Sequence, residues 1–403
     1  MYQDQEVNEI MRSIAEKGLR LLENFKQQPS HLPMLIDKAT EFIKDFQHLF
    51  MTLFKNPEKI MHMQIAYWQD TQSLFQEQFN HWLNGSFMPV KDKRFANETW
   101  QQNPFFNLLS QHYLLASEHM QSLLEQMDYG DIHIAKRMRF LVRQYLDALS
   151  PDNFLYTNPQ LLAETIQSHG KNLLRGLNNF LSDIDTGSSR LIMKMTDTNA
   201  FAVGRNLALT PGKIIFKNKM MELIQYAPVT EKAKPVPLLI IPPWINKYYI
   251  LDLSPHNSLV RWLTSKGITV FMISWVNPDA SYAAMGIEDY LNEGPIAAID
   301  VIQKQLKVAQ INTLGFCIGG TLQAVLLAYF KAKNNDSIRS ATFLATMIDF
   351  SDPGDISVFI DEEQIASLED KMNQKGYLDG HFMASAFNSL RASDLIWSFF
   401  IKH

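Results

Sequence analysis

The most informative stretch of the chain runs Leu314-Gly315-Phe316-Cys317-Ile318-Gly319-Gly320. An apolar run, Ile311–Phe316, precedes it and a helical pattern at about 320–333 follows. The sole cysteine therefore stands at a strand-to-helix turn, with glycine two residues to either side. This is the G-x-S-x-G nucleophile elbow with sulfur in place of oxygen. A nucleophile at the tip of such a turn needs a strained backbone, and its flanking neighbours must be small for the chain to fold back. The N-terminus of the following helix favours negative charge, which helps a thiolate. The backbone N–H of Ile318 is placed to meet the oxyanion formed when Cys317 attacks a carbonyl. A lone thiol is more often a small buried hydrophobe. The strand before, the helix after and the third glycine weigh against that reading here.

Outward from the elbow, short apolar runs recur at Lys213–Phe216, Met221–Tyr226, Leu238–Ile241, Ile268–Trp275 and Ala341–Ile348. Helical patterns at about 256–266 and 284–306 lie between the later ones. Strands alternating with helices predict a mostly parallel sheet with right-handed crossovers. The first two runs are separated only by a few residues around Asn218, so they read as an antiparallel hairpin leading into the sheet. After Ile348 the strand signal stops, and loop and helix follow to His403.

The first half has helical punctuation instead. Apolar residues fall near a 3.6 period over Val7–Phe25, then over Phe42–Phe54, then from Ile60 to Trp82. Gly85 and Pro89 end the third stretch. The next segment, with scattered Phe95, Trp100, Phe105 and Phe106, reads as an extended arm. Helices are predicted again at roughly 106–128, 132–149 and 159–181. The organisation expected is a mainly helical domain at 1–200, a sheet core at 201–349 and the start of a cap region at 350–403. Ordinary packing within the N-terminal domain is the favoured role of the first helices, ahead of adsorption to a surface.

Bulk properties narrow the function classes. The 403 residues are 46% hydrophobic and 20% charged, an ordinary globular balance, and suggest two domains. A formal net charge of −5 offers no basic field for nucleic acid. No apolar run reaches transmembrane length; Pro242 and Pro243 interrupt the strongest one. The start, Met1 to Glu6, is polar and acidic and does not read as a secretory signal. One cysteine permits no internal disulfide, which points to a reducing cytoplasm. The 11 histidines are scattered without metal-ligand spacing, so no metal is expected. No cofactor is called for. Pro211-Gly212-Lys213 lacks a phosphate-loop glycine pattern, and Lys331-Ala332-Lys333 reads as a solvated helix end.

Longer motifs carry a family resemblance. Pro242-Pro243-Trp244-Ile245-Asn246-Lys247-Tyr248-Tyr249-Ile250-Leu251-Asp252-Leu253, Ser274-Trp275-Val276-Asn277-Pro278-Asp279-Ala280 and Gly315–Gly320 resemble signatures of polyhydroxyalkanoate synthases. Asn103-Pro104-Phe105-Phe106, Ser150-Pro151-Asp152-Asn153-Phe154 and Thr196–Phe201 resemble that family's N-terminal half. The long helical portion is similar to the single-subunit type that prefers short-chain monomers. The resemblance implies an incomplete α/β-hydrolase-like sheet carrying the elbow, after a helical domain.

It further implies acyl transfer from (R)-3-hydroxyacyl-CoA through Cys317, a growing polyester chain, attachment to polymer granules in the cytoplasm, and a homodimer for the full-length enzyme. Thiol–thioester exchange is nearly isoenergetic, so a cysteine holds an acyl group without trapping it. The second half of an oxyanion hole belongs on the loop at 242–247. Ile245 N–H is assigned to it beside Ile318 N–H, with Trp244, Asn246, Tyr249 and Asp252 as possible lining. Asp252 also reads as a surface carboxylate or a helix N-cap near Ser254.

Such a fold also needs an acid and a histidine on loops after later strands. Only His381 and His403 follow Cys317, and Asp352, Asp361, Asp370, Asp379 and Asp394 lie in loop and helix. Phe387–Trp397 resembles part of the family's cap, and the family's own Asp and His come later still. The expectation is a synthase truncated at its C-terminus, weakly active or inactive alone. The alternatives are a thioesterase-like hydrolase using the same elbow, and a granule- or partner-binding helical protein carrying a dead hydrolase fold.

Overall fold

The computed structural model describes residues 2–27, 47–185, 190–191, 197, 199–391, 393–398 and 401. The early part of the Phe42–Phe54 pattern, Phe42, Ile43 and Phe46, lies outside them. The chain divides into two compact units, Met1–Met195 with Ala386–His403, and Thr196–Ser385.

The first unit is helical. It comprises α1 (Tyr2–Gln27), α2 (described over 47–54), α3 (Pro57–Leu83), α4 (Glu98–Gln102), α5 (Pro104–Gln126), α6 (Ile132–Ala148), α7 (Pro159–Gln167) and α8 (Lys171–Asp183). Side-chain caps start many of them. Asn103 accepts from the N–H groups of Phe105 and Phe106, Asp131 from those of His133 and Ile134, and Asn158 from those of Gln160 and Leu161. Pro104 and Pro159 follow their caps at the position where a missing N–H costs nothing. The single helix predicted over 159–181 is two. His169 and Gly170 both take positive φ, and Gly170, at +79°, opens α8.

The predicted extended arm is also corrected. It contains a 3-10 turn, Lys93–Phe95, and α4, and its aromatics Phe95 and Trp100 are fully buried. Gln101 ties the segment down, accepting from Val90 N and donating to the carbonyls of Val90 and Phe95. The rings of Phe95 and Trp100 pack with Phe106 and Tyr113 from α5. Aromatics without periodicity can still form a core when their spacing is set by turns.

α3 buries Thr71 and Leu74 and packs on α5, yet Met61, Ile65, Trp68, Phe75, Phe79 and Trp82 remain exposed along it.

The second unit is built on a six-stranded sheet of order β10-β9-β5-β8-β4-β3. Its strands are β3 (Lys213–Lys217), β4 (Met221–Tyr226), β5 (Leu238–Ile241), β8 (Val270–Trp275), β9 (Ile311–Phe316) and β10 (Ile338–Leu344). A short pair, β6 (Asp252–Ser254) with β7 (Asn257–Ser258), forms a separate two-stranded sheet, while β1 (Ile184–Asp185) pairs with β2 (Arg190–Leu191) in the first unit. The pairings β10–β9, β9–β5 and β5–β8 are parallel. β3 and β4 form the predicted antiparallel hairpin, turning at Asn218, whose side chain accepts from the N–H groups of Met220 and Met221.

Alternate residues of the central strands feed opposite cores, as the two-residue period of a strand requires. Leu239, Ile241, Phe271 and Ile273 pack with α11 (Ala297–Leu306) and α12 (Ile318–Ala332). Leu238, Ile240, Val270 and Met272 pack instead with Val260 and Leu263 of α9 (Leu259–Ser265). Each such fully buried side chain contributes about 1.5–3 kcal/mol. After β10 come a 3-10 segment, α13 (Glu362–Lys375) and α14 (Gly380–Leu390). Among the described residues no further strand follows.

Candidate active site

Cys317 joins β9 to α12 with φ 54° and ψ −129°, a conformation that costs a non-glycine residue about 1–3 kcal/mol and persists only when its surroundings enforce it. Here they do. Its N–H donates to Leu344 O at 3.0 Å, and its carbonyl accepts from Gly320 N at 2.9 Å and Thr321 N at 3.3 Å. Thr321 Oγ1 donates to Met347 O at 2.8 Å, which ties the head of α12 to the turn after β10. The small flanking residues have steric reasons. A Cβ on Gly315 would stand 2.4 Å from Gly320 Cα, and one on Gly319 would stand 2.2 Å from Ile241 O. The thiol itself is half-buried.

The 242–247 loop adjoins the elbow because β5 and β9 are parallel neighbours with Ile241 opposite Gly315. The loop therefore leaves the sheet at the level where the elbow begins. Pro242 and Pro243 have no N–H to offer, so the first donors after β5 are Trp244 and Ile245. Among the described residues neither donates to a protein acceptor. Ile318 N–H is likewise free at the first turn of α12.

The remaining expected residues are placed differently. Asn246 turns back onto the loop, its N–H donating to Pro243 O at 3.4 Å and its side chain accepting from Lys247 N at 2.7 Å. Lys247 Nζ reaches Asn277 Oδ1 on the loop after β8. Tyr249 lies in a 3-10 turn, its ring edge-on to Tyr248 at 5.4 Å. Asp252 is buried, and its carboxylate accepts from Thr210 Oγ1 at 2.7 Å, Ser258 Oγ at 2.6 Å and Thr210 N at 3.2 Å. These bonds tie the segment before β3 to the head of α9.

Sequence reading named Trp275 only within a family-like motif and passed over Tyr290 and Gly294. Trp275 Nε1 donates to Pro242 O at 2.8 Å within the core. Its ring packs against Trp244 and Tyr290, and burial raises the phenol pKa of Tyr290 above its usual value. The predicted helix at 284–306 is interrupted beside them, between α10 (Ile287–Leu291) and α11, by a wider turn holding Gly294 and Pro295. That Gly-Pro pair was the available signal.

Among the described residues no imidazole or carboxylate hydrogen-bonds the Cys317 thiol. The side chain of His381 and all of His403 lie outside the described residues. Asp361 caps α13, Asp379 pairs with Lys375, and Asp394, in the helical unit, pairs with Lys93 and Arg391. No metal-holding cluster occurs among the described residues, and no helix is long and apolar enough to cross a membrane.

A mostly parallel sheet with a strained residue between strand and helix defines an α/β-hydrolase-fold protein with cysteine at the elbow, and residues 236–380 match the family model of that fold. Residues 91–263 match the model described as the N-terminus of poly-beta-hydroxybutyrate polymerase. A poly(3-hydroxyalkanoate) polymerase of Methylorubrum extorquens is 44% identical over 368 residues, covering 90% of this chain and 61% of the relative. A poly(3-hydroxyalkanoate) polymerase subunit of Rhizobium etli is 42% identical over 379 residues, covering 91% and 59%. That of Cupriavidus necator is 37% identical over 352 residues, covering 86% and 59%. Over most of its length the chain is similar to poly(3-hydroxyalkanoate) polymerases. It spans about three fifths of the length of these relatives.

Proposed function

We propose that this chain carries the acyl-accepting half of a polyhydroxyalkanoate synthase, with Cys317 as nucleophile toward (R)-3-hydroxyacyl-CoA. The observation that carries the reading is the enforced positive-φ turn at Cys317, beside N–H groups at the head of α12 and on the loop after β5 that meet no acceptor among the described residues. The names of the relatives supply the substrate class. The Cys317 thiolate attacks the thioester carbonyl. The oxyanion is held by the Ile318 and Ile245 N–H groups and collapses to expel CoA as its thiolate, which then takes a proton. The 3-hydroxyl of another acyl unit attacks the enzyme thioester, its proton passing to the departing cysteine sulfur. The polyester grows by one ester bond.

Because no base touches the thiol among the described residues, turnover by this chain alone is expected to be slow. Trp244 and Tyr249 are assigned to the lining of the acyl site. The apolar stripe on α3 supports contact with the polymer granule surface in the cytoplasm, and a homodimer is assigned to the full-length enzyme.

The test is incubation with 3-hydroxybutyryl-CoA, following released CoA and the intact mass of the protein. A single acyl adduct, slow CoA release and loss of both in Cys317→Ala are expected. An adduct that persists in Cys317→Ala, or none in the parent chain, overturns the proposal. Free 3-hydroxy acid in place of polymer would assign hydrolysis instead.

A further inference from the structure

We propose that Trp275 is a positioning residue for acyl transfer at Cys317. By holding the Pro242 carbonyl, it aims the Trp244 and Ile245 N–H groups at the oxygen of the carbonyl under attack. The inference rests on the acyl-transfer reading above and adds a residue to it.

The loop after β5 has little to fix it. Its two prolines remove the backbone donors that would anchor its start, and its own turn bond, Asn246 N to Pro243 O, is long at 3.4 Å. Anchorage comes from two sides. Gly319 of the elbow lies against it so closely that a Cβ would stand 2.7 Å from both the carbonyl carbon and the oxygen of Pro242. From β8, the Trp275 indole N–H donates to that same oxygen at 2.8 Å. A carbonyl held by a buried donor fixes the peptide plane after which the chain turns. The next N–H groups along it are those of Trp244 and Ile245, which meet no acceptor among the described residues.

The surroundings hold the indole as firmly as it holds the loop. Trp244 stands edge-on to it at 6.3 Å, and Tyr290 contacts both rings, at 5.0 Å from Trp244 and 5.3 Å from Trp275. On its far side the helix breaks to make room. Gly294 departs from helical geometry at φ −96° and ψ −107°, and a Cβ there would stand 2.4 Å from Trp275 Cη2. A glycine followed by proline is among the least favourable pairs for a helix interior. Its presence here is accounted for by the space the indole needs.

Two variants of the full chain separate aiming from mere packing. Trp275→3-benzothienylalanine keeps the ring and removes the N–H. Gly294→Ala keeps the N–H and crowds the ring. For each, acylation of Cys317 by 3-hydroxybutyryl-CoA and by p-nitrophenyl acetate is compared with alkylation by iodoacetamide, which forms no oxyanion. Both acylation rates are expected to fall about 10- to 100-fold while alkylation stays within about twofold. The isostere should melt only a few degrees below the parent chain, since it loses one buried hydrogen bond.

Acylation by the isostere at the parent rate overturns the proposal. A parallel fall in acylation and alkylation, the mark of a purely structural role, overturns it as well. If the parent chain takes acetyl from the nitrophenyl ester but nothing from the CoA thioester, the substrate reading fails and the ester ratio still judges Trp275. If it takes neither, both readings fall.

Discussion

β8 and β10 both carry large apolar residues and both run parallel to a neighbour, yet they live in different environments. β8 has β5 on one edge and β4 on the other, helices cover both faces, and Val270, Phe271, Met272 and Ile273 have no exposed surface. Among the described residues β10 has β9 as its one strand neighbour, and Phe343 and Leu344 each keep 40% of their surface exposed. Exposure continues past the strand at Ile348 and Phe350. Apolar composition alone therefore does not make a core strand. Partners on both edges and both faces do, because hydrophobic stabilisation scales with the area removed from water.

Stability measured by denaturant unfolding sharpens this contrast. Phe271→Ala, emptying the centre of β8, should cost about 3–5 kcal/mol. Gly319→Ala should come next, at about 1–3 kcal/mol, because its methyl group would meet backbone of β5 rather than a movable side chain. It should also slow acylation of Cys317 by displacing the loop. Asp252→Ala should cost about 1–3 kcal/mol by leaving Thr210 and Ser258 without their acceptor. Phe343→Ala at the open end should cost less than about 1 kcal/mol. Phe343→Lys should leave unfolding almost unchanged and reduce self-association seen by light scattering, since a charge on an exposed edge opposes strand pairing. A cost for Phe343→Ala equal to that for Phe271→Ala would erase the distinction between the two strands.

What could be read in advance follows the range of the interactions concerned. The elbow, the hairpin at Asn218 and the central strands were legible because strand period, glycine spacing and turn chemistry are encoded within a few neighbouring residues. The burial of Phe95 and Trp100 was not, since it depends on Gln101 folding the backbone around itself and on α5 supplying the other rings. The break at Gly294 left a local trace, but its cause, Trp275, is distant in sequence. Asp252 was weighed between a site residue and a surface carboxylate. Its buried bonds to Thr210 were out of reach because the two lie 42 residues apart.

The sequence by itself determined that Cys317 sits between a strand and a helix with small residues around it, and that the protein is a polymerase relative with an α/β-hydrolase elbow. Those features are local, fixed by the steric and hydrogen-bonding needs of adjacent residues. Only the tertiary structure decided that the loop after β5 lies against the elbow and what holds it there. Trp275 and Pro242 are 33 residues apart, and no periodicity links them. Their bond exists because β5 and β8 pair in parallel and carry both residues to the same end of the sheet.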